Sequence, residues 1–506
     1  LLAMRLPGVT LVYPEETLEL ELDSTHRVIH TTEAWTAAGG REEAGLGARI
    51  AVLDTGGAPA HPFFDDEGMP PPPEGFPSAR LYGRGGQVLD YPDPTQFTNA
   101  KLIGARVFVR TATEAALGQI TPLAFDNGDH GLHVAGIAAG RHGTYTIESG
   151  GQTVNLELSG VAPMAHVLHY VVNDNTPGMA AAFEQLVKDE ADVVNISQGH
   201  VGWLLDRPDR HPIALAIAGA AEAGVATVVS AGNAGGNGRT SLSGSWKYSE
   251  NLLAVGSTSP SGTLTLEMTV AGAGVPDAVK TLLVAPRGAA GITQTITAPI
   301  VLAPDGGCTA FPEAAGKIAV VERFDALQQP VGGTCGYEAR AATMKQSGAI
   351  AVVYIYYNQR ISVVSATPVA LPAVSLGRIG GPELTAWLRS GGQGSATIGT
   401  AVTRGYAEVP DILAGSSSRG PGLGWEIKPD VSAPGDGIWS SCVLADDNGD
   451  PSYQFCNYGG TSMASPTVAG AVGLLRSIHP DWTVPQLRSA VINTSARTIL
   501  VPDGQG

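Results

Sequence analysis

The chain has 506 residues, which exceeds one ordinary domain and predicts a large domain with an added module. Charged residues make up only 15%, while 66 glycines and 35 prolines predict a compact, loop-rich fold rather than a disordered chain. A net charge of −17 argues against nucleic acid and anionic membranes as partners. The most hydrophobic stretch, 213–231, is broken by Glu222 and glycines, so we predict no membrane span.

Short apolar runs rich in β-branched residues predict strands buried on both faces of a sheet. These runs are Ile50–Leu53, His166–Val172, Asp192–Ile196, Ala226–Ser230 and Leu252–Val255. Helical patterns lie between them, and such alternation predicts an α/β fold with a mostly parallel sheet flanked by helices.

Apolar residues at helical spacing predict the helices. The first predicted helix has Met179, Phe183, Leu186 and Val187 on its apolar face, and the second covers Ile213–Ala223. Later helices begin at Ser462, with Val468, Val472 and Leu475 buried, and cover Val484–Ser495. In open α/β sheets functional residues gather at the carboxyl ends of strands, where Asp54, Ser197 and Asn233 all fall.

Four distant segments carry residues that suit nucleophilic catalysis. Asp54 lies in IAVLDTGG, His130 in DNGDHGLHVAG, Asn233 in VVSAGNAGG and Ser462 in YGGTSMASP. A serine hydroxyl is a weak nucleophile at neutral pH and needs a base, which an imidazole oriented by a buried carboxylate supplies. We therefore predict Ser462 as the nucleophile, His130 as the base and Asp54 as the residue that orients it.

A developing oxyanion needs hydrogen-bond donors that are already in place. The side-chain amide of Asn233 and the backbone N–H of Ser462 are the predicted donors. The start of a helix at Ser462 would add partial positive charge beside them.

Each of these residues also has a plainer interpretation. Asp54 would suit a turn, and DTG also occurs in aspartic peptidases, although those need a second carboxylate motif and none is present. His133 is an alternative base, and otherwise a buried structural histidine. Ser462 would also suit a helix cap.

With these motifs the sequence resembles the subtilisin-like serine proteases, or subtilases, and shares their order of Asp, His and Ser. Further landmarks of the family occur in the expected order: GVAP at 160–163, NISQG at 195–199, SSRGP at 417–421, KPDVSAPG at 428–435 and GTSMASP at 460–466. One departure is Leu132, where the family motif usually has Thr.

The resemblance also implies how a substrate is bound. The backbone of Ser197, Gln198 and Gly199 would pair with an extended peptide as an added strand. Gly199, Ala231 and Gly232 would line the pocket for the residue before the scissile bond. Their small size leaves this pocket open, which predicts a broad preference with some bias toward large apolar side chains.

Between 257 and 404 the family landmarks stop, and GKIAVVER and SGAIAVVYIYY resemble an inserted, smaller, β-rich α/β protease-associated domain. The predicted organisation is therefore 31–256 and 405–506 as the two parts of the catalytic domain, with 257–404 inserted between them. Residues 1–30 resemble the tail of a subtilase propeptide, with self-processing near His30. An N-terminal segment that stays attached is the alternative.

The chain has four cysteines, which can pair in three ways. Close spacing favours disulfides Cys308–Cys335 and Cys442–Cys456, with free thiols or a metal site as the alternatives. Disulfides would place the protein outside the reducing cytosol, and we predict a secreted protein.

No cofactor is required by this chemistry, and we predict no metal among the catalytic residues. An acidic turn at Asp446, Asp447, Asn448, Gly449 and Asp450 offers oxygen ligands for a structural calcium ion. Its spacing does not match an EF-hand loop, so a solvated turn is favoured.

The sequence therefore predicts a secreted serine endopeptidase whose partners are protein or peptide substrates and its own propeptide. The alternative is an inactive homologue that binds peptides through the inserted domain. An exopeptidase or a peptide ligase on the same scaffold is a further possibility, but we find no charge clamp that would close one end of a cleft.

Overall fold

The computed structural model describes residues 25–83, 86–108, 121–149, 152–172, 176–199, 208–259, 263–287, 292–322, 331, 335–357, 370–377, 379–405, 412–422, 424–446 and 448–497. Residues 1–24 of the predicted propeptide tail lie outside these ranges.

The strands fall into a large sheet, a barrel and two hairpins. They are β1 (Arg49–Asp54), β2 (Ser78–Tyr82), β3 (Val88–Asp90), β4 (Leu102–Phe108), β5 (Gly143–Ser149), β6 (Gln152–Leu158), β7 (His166–Val172), β8 (Val193–Ile196), β9 (Ala226–Ser230), β10 (Leu253–Thr258), β11 (Thr263–Gly272), β12 (Thr281–Arg287), β13 (Ile296–Leu302), β14 (Ile318–Glu322), β15 (Ala351–Ile355), β16 (Ala373–Leu376), β17 (Gly394–Gly405), β18 (Val431–Pro434), β19 (Ile438–Ala445) and β20 (Pro451–Tyr458).

The helices are α1 (Thr25–Val28), α2 (Thr31–Ala37), α3 (Ala124–Asn127), α4 (His130–Ala139), α5 (Thr176–Lys188), α6 (Pro212–Glu222), α7 (Asp277–Lys280), α8 (Tyr337–Gln346), α9 (Gly381–Arg389), α10 (Thr461–Ile478) and α11 (Val484–Thr494). In the described ranges, no helix combines the length and apolar character that crossing a bilayer requires.

The large sheet has nine strands in the order β18-β10-β9-β8-β1-β7-β4-β2-β3, all parallel except the β2–β3 pair at one edge. Alternate residues of β1 point to opposite faces. Ile50 and Val52 pack in one core with α4 and α10, whereas Ala51 and Leu53 pack in a second core with α5 and α6. The structure thus confirms the predicted parallel sheet with helices on both faces.

Two predicted strands, His166–Val172 and Ala226–Ser230, have the observed bounds, and the predicted Leu252–Val255 strand is observed as Leu253–Thr258. The predicted apolar face of α5 was wrong in one residue, because Val187 is 38% exposed while Met179, Phe183 and Leu186 are buried. The buried three are spaced by four and three residues, and Val187 lies about 100° around the helix from Leu186.

Residues of β11 to β17 form a separate closed barrel of seven strands in the order β11-β12-β16-β15-β14-β13-β17. The long strand β17 closes it by pairing with both β11 and β13. Thr263 at the start of β11 is opposite Gly405 at the end of β17, and Thr258 bridges Leu413. The two chain crossings between the sheet and the barrel therefore lie side by side.

The segment before the predicted processing point is packed into the sheet unit. Thr25 and His26 are fully buried, and the ring of His26 lies 4.7 Å from that of Trp35. His26 Nε2 donates a hydrogen bond to the Ser159 carbonyl at 2.9 Å. Thr25 and His26 thus pack against α2 and the residue that follows β6, on the N-terminal side of the predicted processing point.

Candidate active site

The predicted base lies on α4, and the carboxylate predicted to orient it lies on β1. Asp54 is the last residue of β1 and is buried, and His130 is the first residue of α4. Their closest atoms, His130 Nδ1 and Asp54 Oδ1, are 2.7 Å apart, and Asp54 Oδ1 also accepts from the Thr55 N–H at 2.8 Å. Thr55 Oγ1 in turn accepts from the Gly131 N–H at 2.8 Å, which fixes the start of α4 against the end of β1. The carboxylate therefore sets the orientation of the imidazole.

Several effects act on the protonation of His130. Burial disfavours the imidazolium, but the charge and hydrogen bond of Asp54, together with the charge of Asp129, outweigh it and raise the pKa of His130. Asp129 is itself held by Tyr458, whose hydroxyl donates to Asp129 Oδ2 at 2.9 Å. The imidazole can therefore take up a proton more readily than a free histidine.

The predicted nucleophile, Ser462, lies in the first turn of α10. Ser462 Oγ donates to the Ser197 carbonyl at 3.1 Å, and Ser197 Oγ donates to the Ser462 carbonyl at 2.8 Å. Among the described residues no hydrogen bond joins Ser462 to His130. Proton transfer between them therefore requires the hydroxyl to leave Ser197 for the imidazole, a tightening that catalytic groups often undergo when substrate binds.

The amide of Asn233 lies beside the start of α10. Asn233 Oδ1 accepts from the Thr461 N–H at 3.0 Å and from Thr461 Oγ1 at 3.1 Å. Nδ2 makes no hydrogen bond within the described part of the chain, and the side chain is exposed. A Cβ placed on Gly460 would lie 3.0 Å from Nδ2, and Gly460 has φ +152°, so only glycine fits there. The amide is therefore oriented with its donor free.

Two segments leave the carboxyl ends of neighbouring strands next to Ser462. Ser197 follows β8 directly and is buried, Gln198 is partly exposed, and Gly199 is exposed. Ala231 follows β9 and is buried, and the Gly232 N–H donates to Thr461 Oγ1 at 3.0 Å. The structure thus brings all the residues predicted for substrate binding to the same edge of the sheet as the nucleophile.

Sequence reasoning missed the residues that support these segments. Asn195 is fully buried in β8, donates from Nδ2 to Ser197 Oγ at 2.9 Å and accepts from Ser465 Oγ at 2.6 Å. NISQG contains Asn195 and GTSMASP contains Ser465, but neither motif shows that the two side chains bond each other. Ser243 and Lys247 lie against Gly199, although no motif includes them.

The second histidine of the motif has a different environment from the first. His133 is fully buried, stacks on Tyr458 with ring centres 4.4 Å apart and donates from Nε2 to the Cys456 carbonyl at 3.0 Å. Burial lowers the pKa of His133 to about 3, so it stays neutral and suits a structural role. Leu132, the departure from the family motif, is also fully buried, and its carbonyl accepts from Ser441 Oγ at 2.9 Å.

The four cysteines form two disulfides, Cys308–Cys335 and Cys442–Cys456, with Cα–Cα distances of 6.1 and 5.7 Å. The second joins β19 to β20 beside α4, and its sulfurs lie near the Asp129 carboxylate. Because both sulfurs are bonded to each other, they do not offer the thiolates that a metal site would need.

The acidic turn after β19 is organised by its own backbone. Asp446 Oδ1 accepts from the N–H groups of Asn448 and Asp450, each at 2.8 Å, and these bonds lower the pKa of Asp446. Asp447 lies outside the described residues. One oxygen of the turn is thus committed to the turn itself, which fits the solvated interpretation.

The chain is similar to known proteases over most of its length. The chain is 29% identical to the minor extracellular protease Vpr of Bacillus subtilis over 97% of this chain and 52% of that protein. It is also 29% identical to the subtilisin-like protease SBT1.6 of Arabidopsis thaliana over 94% of this chain and 63% of that protein. The chain thus spans only about half to two thirds of these relatives.

Among solved structures, the psychrophilic subtilisin-like protease Apa1 from an Antarctic Pseudoalteromonas aligns over 93% of this chain and 92% of that chain, with TM-score 0.44 and 18% identity. The model of the family Peptidase_S8, the subtilase family, matches residues 45–506. Since that match covers most of the sequence, the chain belongs to the subtilase family.

Proposed function

We propose that this chain is a serine endopeptidase that hydrolyses peptide bonds through an acyl-enzyme on Ser462. The observation that carries the proposal is the Asp54–His130 hydrogen bond of 2.7 Å, in a structure that also has Ser462 at a helix N-terminus with a free amide donor beside it. The family membership and the protease relatives support the same activity.

In the proposed reaction Ser462 Oγ bonds to the substrate carbonyl carbon while its proton passes to Nε2 of His130. Asp54 accepts the hydrogen bond from Nδ1–H of His130 and stabilises the imidazolium without taking the proton itself. Asn233 Nδ2 and the Ser462 N–H donate to the oxyanion, and the positive end of α10 adds to this stabilisation. His130 then protonates the leaving amine as the C–N bond breaks, and it activates the water that hydrolyses the ester. No step needs a metal or a cofactor.

The experiment is hydrolysis of casein and of a peptide library by the wild type and by Ser462→Ala. The variant loses turnover on the order of a millionfold, since a triad acts as a unit. Ser477→Ala, in the last turns of the same helix, is the matched control and keeps wild-type turnover. Equal hydrolysis by wild type and Ser462→Ala would refute the proposal. A folded wild type that cleaves nothing would favour the inactive, peptide-binding alternative.

We also infer that residues 257–404 are the inserted protease-associated domain of the sequence analysis. The closed barrel from Thr263 to Gly405 and its adjacent chain crossings support an insertion at a single point of the sheet unit. We propose a location outside the reducing cytosol, which the two disulfides and a relative named as extracellular support. The proposed partners are protein or peptide substrates and the protein's own propeptide, whose tail we propose within residues 1–30.

A further inference from the structure

The segments that follow β8 and β9 both lie beside Ser462. These strands are neighbours, with Ile196 paired to Val229, so 197–199 and 231–233 leave the sheet side by side. The first contacts Ser462 Oγ through the Ser197 carbonyl, and the second carries the oxyanion donor Asn233. In the substrate orientation that the family resemblance implies, the side chain of the residue before the scissile bond enters the space between these two segments.

Ser243 lies at the far side of this space. A Cβ on Gly199 would lie 2.1 Å from Ser243 Oγ, and a Cβ on Gly232 would lie 2.5 Å from it. The Ser243 N–H donates to the Ala231 carbonyl at 3.0 Å, which fixes the residue against the β9 segment. Glycine at 199 and 232 thus makes room for the Ser243 hydroxyl between the two segments.

Lys247 lies directly behind Ser243 and is fully buried. Its Nζ donates to the Ser230 carbonyl at 2.6 Å and to Ser243 Oγ at 3.0 Å, and it would lie 2.8 Å from a Cβ on Gly199. An ammonium group has three donors and no acceptor, so Ser243 Oγ accepts from it and keeps its own O–H for another partner. Among the described residues nothing accepts that O–H.

The surroundings of Lys247 leave its charge without a counterion. No carboxylate forms an ion pair with it in the described ranges. The segments that pack against its turn, 208–210 and α6, carry Asp209, Arg210 and Glu222, but the hydrogen bonds of Nζ go to Ser230 and Ser243 instead. A buried cation without a partner charge favours an anionic ligand, because such a ligand supplies the missing charge.

We propose that Ser243 and Lys247 make this enzyme selective for an acidic side chain, Glu or Asp, in the residue before the scissile bond. The Ser243 hydroxyl donates to the substrate carboxylate, and the Lys247 ammonium behind it supplies the positive charge. The inference rests on the proposed function, since it assigns a specificity to that same site. It differs from the bias toward large apolar side chains that the small lining residues suggested.

The preference has a defined pH dependence. Burial lowers the pKa of Lys247 to about 7. The group is therefore charged below that pKa and neutral above it, so selectivity for a carboxylate is greatest below about pH 7 and declines as the pH rises through it. The protonation state of His130 cancels in the ratio of kcat/KM values for two substrates, because both substrates need the same base.

The test compares kcat/KM for peptides that differ only in Glu, Gln or Leu before the cleaved bond. At about pH 6 the wild type prefers Glu over Gln by about tenfold to a hundredfold, the range expected for a charged hydrogen bond. At about pH 8 this ratio is smaller. Lys247→Met brings the Glu-to-Gln ratio close to one. Ser243→Ala also lowers this ratio, and it changes the buried core less than Lys247→Met does.

Lys101→Met is the matched control, since Lys101 is also fully buried and donates to the backbone carbonyls of Pro163 and Ala165, away from this pocket. It keeps the wild-type ratio. A wild-type ratio near one, or a ratio unchanged in both Lys247→Met and Ser243→Ala, would overturn the proposal.

Failure of the proposed function gives a different result, namely that no peptide is cleaved. Binding of the uncleaved Glu and Gln peptides to Ser462→Ala, measured by calorimetry, then still tests the pocket. Tighter binding of the Glu peptide that is lost in Ser462→Ala/Lys247→Met supports the inference, and equal binding of both peptides contradicts it.

Discussion

Two buried carboxylates end parallel strands in two regions of this molecule, yet they have different partners. Asp54 ends β1 of the sheet and bonds the imidazole of His130. Glu322 ends β14 of the barrel and accepts from the Tyr357 hydroxyl and from the guanidinium of Arg389. Arginine stays protonated, whereas histidine exchanges its proton near neutral pH. Of these two carboxylates, only Asp54 is therefore paired with a group that exchanges a proton near neutral pH.

The largest effect expected within this comparison follows when Asp54 loses its charge. Asp54→Asn lowers kcat by roughly ten-thousandfold, because an amide no longer selects the imidazole tautomer that accepts from Ser462. Glu322→Gln is the matched substitution in the barrel. It leaves kcat at the wild-type value and lowers only the melting temperature, since its partners are not part of the reaction.

Steady-state kinetics with a short peptide substrate, together with thermal melts, measure both effects. If Glu322→Gln lowers kcat as much as Asp54→Asn does, the barrel takes part in the chemistry, and the contrast between the two regions is lost.

The next effect in size concerns the oxyanion donor. Asn233→Ala lowers kcat by about a hundredfold to a thousandfold with little change in KM, because the free Nδ2 acts on charge that develops after substrate binds. Asn493→Ala removes an exposed amide from α11 and keeps wild-type kinetics. Loss of substrate binding without loss of kcat in Asn233→Ala would instead indicate a role in binding the ground state.

Much of the sheet could be predicted from sequence because its strands are buried on both faces. Continuous apolar runs such as His166–Val172 leave little choice of structure, and the site residues follow directly after these runs. The barrel was harder to predict, because its closure depends on β17, which pairs with two strands that are distant in sequence. No local pattern shows that pairing.

The pocket behind Gly199 could not be predicted for a related reason. A lysine next to Trp246 and Tyr248 is expected on the surface, since lysines are almost never fully buried. The turn Ser245–Tyr248 carries Lys247 back against the carbonyl at the end of β9, a contact that depends on the folded backbone. Motifs thus predicted the candidate reacting groups but not the groups that lie behind Gly199.

The smallest expected effect on turnover is the difference between removing one disulfide and removing the other. One disulfide lies in each region. Cys442–Cys456 spans 14 residues and Cys308–Cys335 spans 27, so loop entropy alone makes them worth about 3 and about 3.5 kcal/mol of unfolding free energy. Replacing either pair with serine should therefore lower the stability of its region by a similar amount. Thermal melts and kcat/KM of both double variants provide the comparison.

Their positions relative to the site differ more than their stabilities. Strand β19 donates from Ser440 Oγ to the His133 carbonyl at 2.8 Å and from Ser441 Oγ to the Leu132 carbonyl, so the hairpin supports the helix that carries His130. Its partner β20 leads into the segment that ends at Ser462. Loss of Cys442–Cys456 should thus reduce kcat/KM severalfold in the folded protein, whereas loss of Cys308–Cys335 should not. Equal kinetics for the two variants would show that hydrogen bonds alone hold the hairpin against α4.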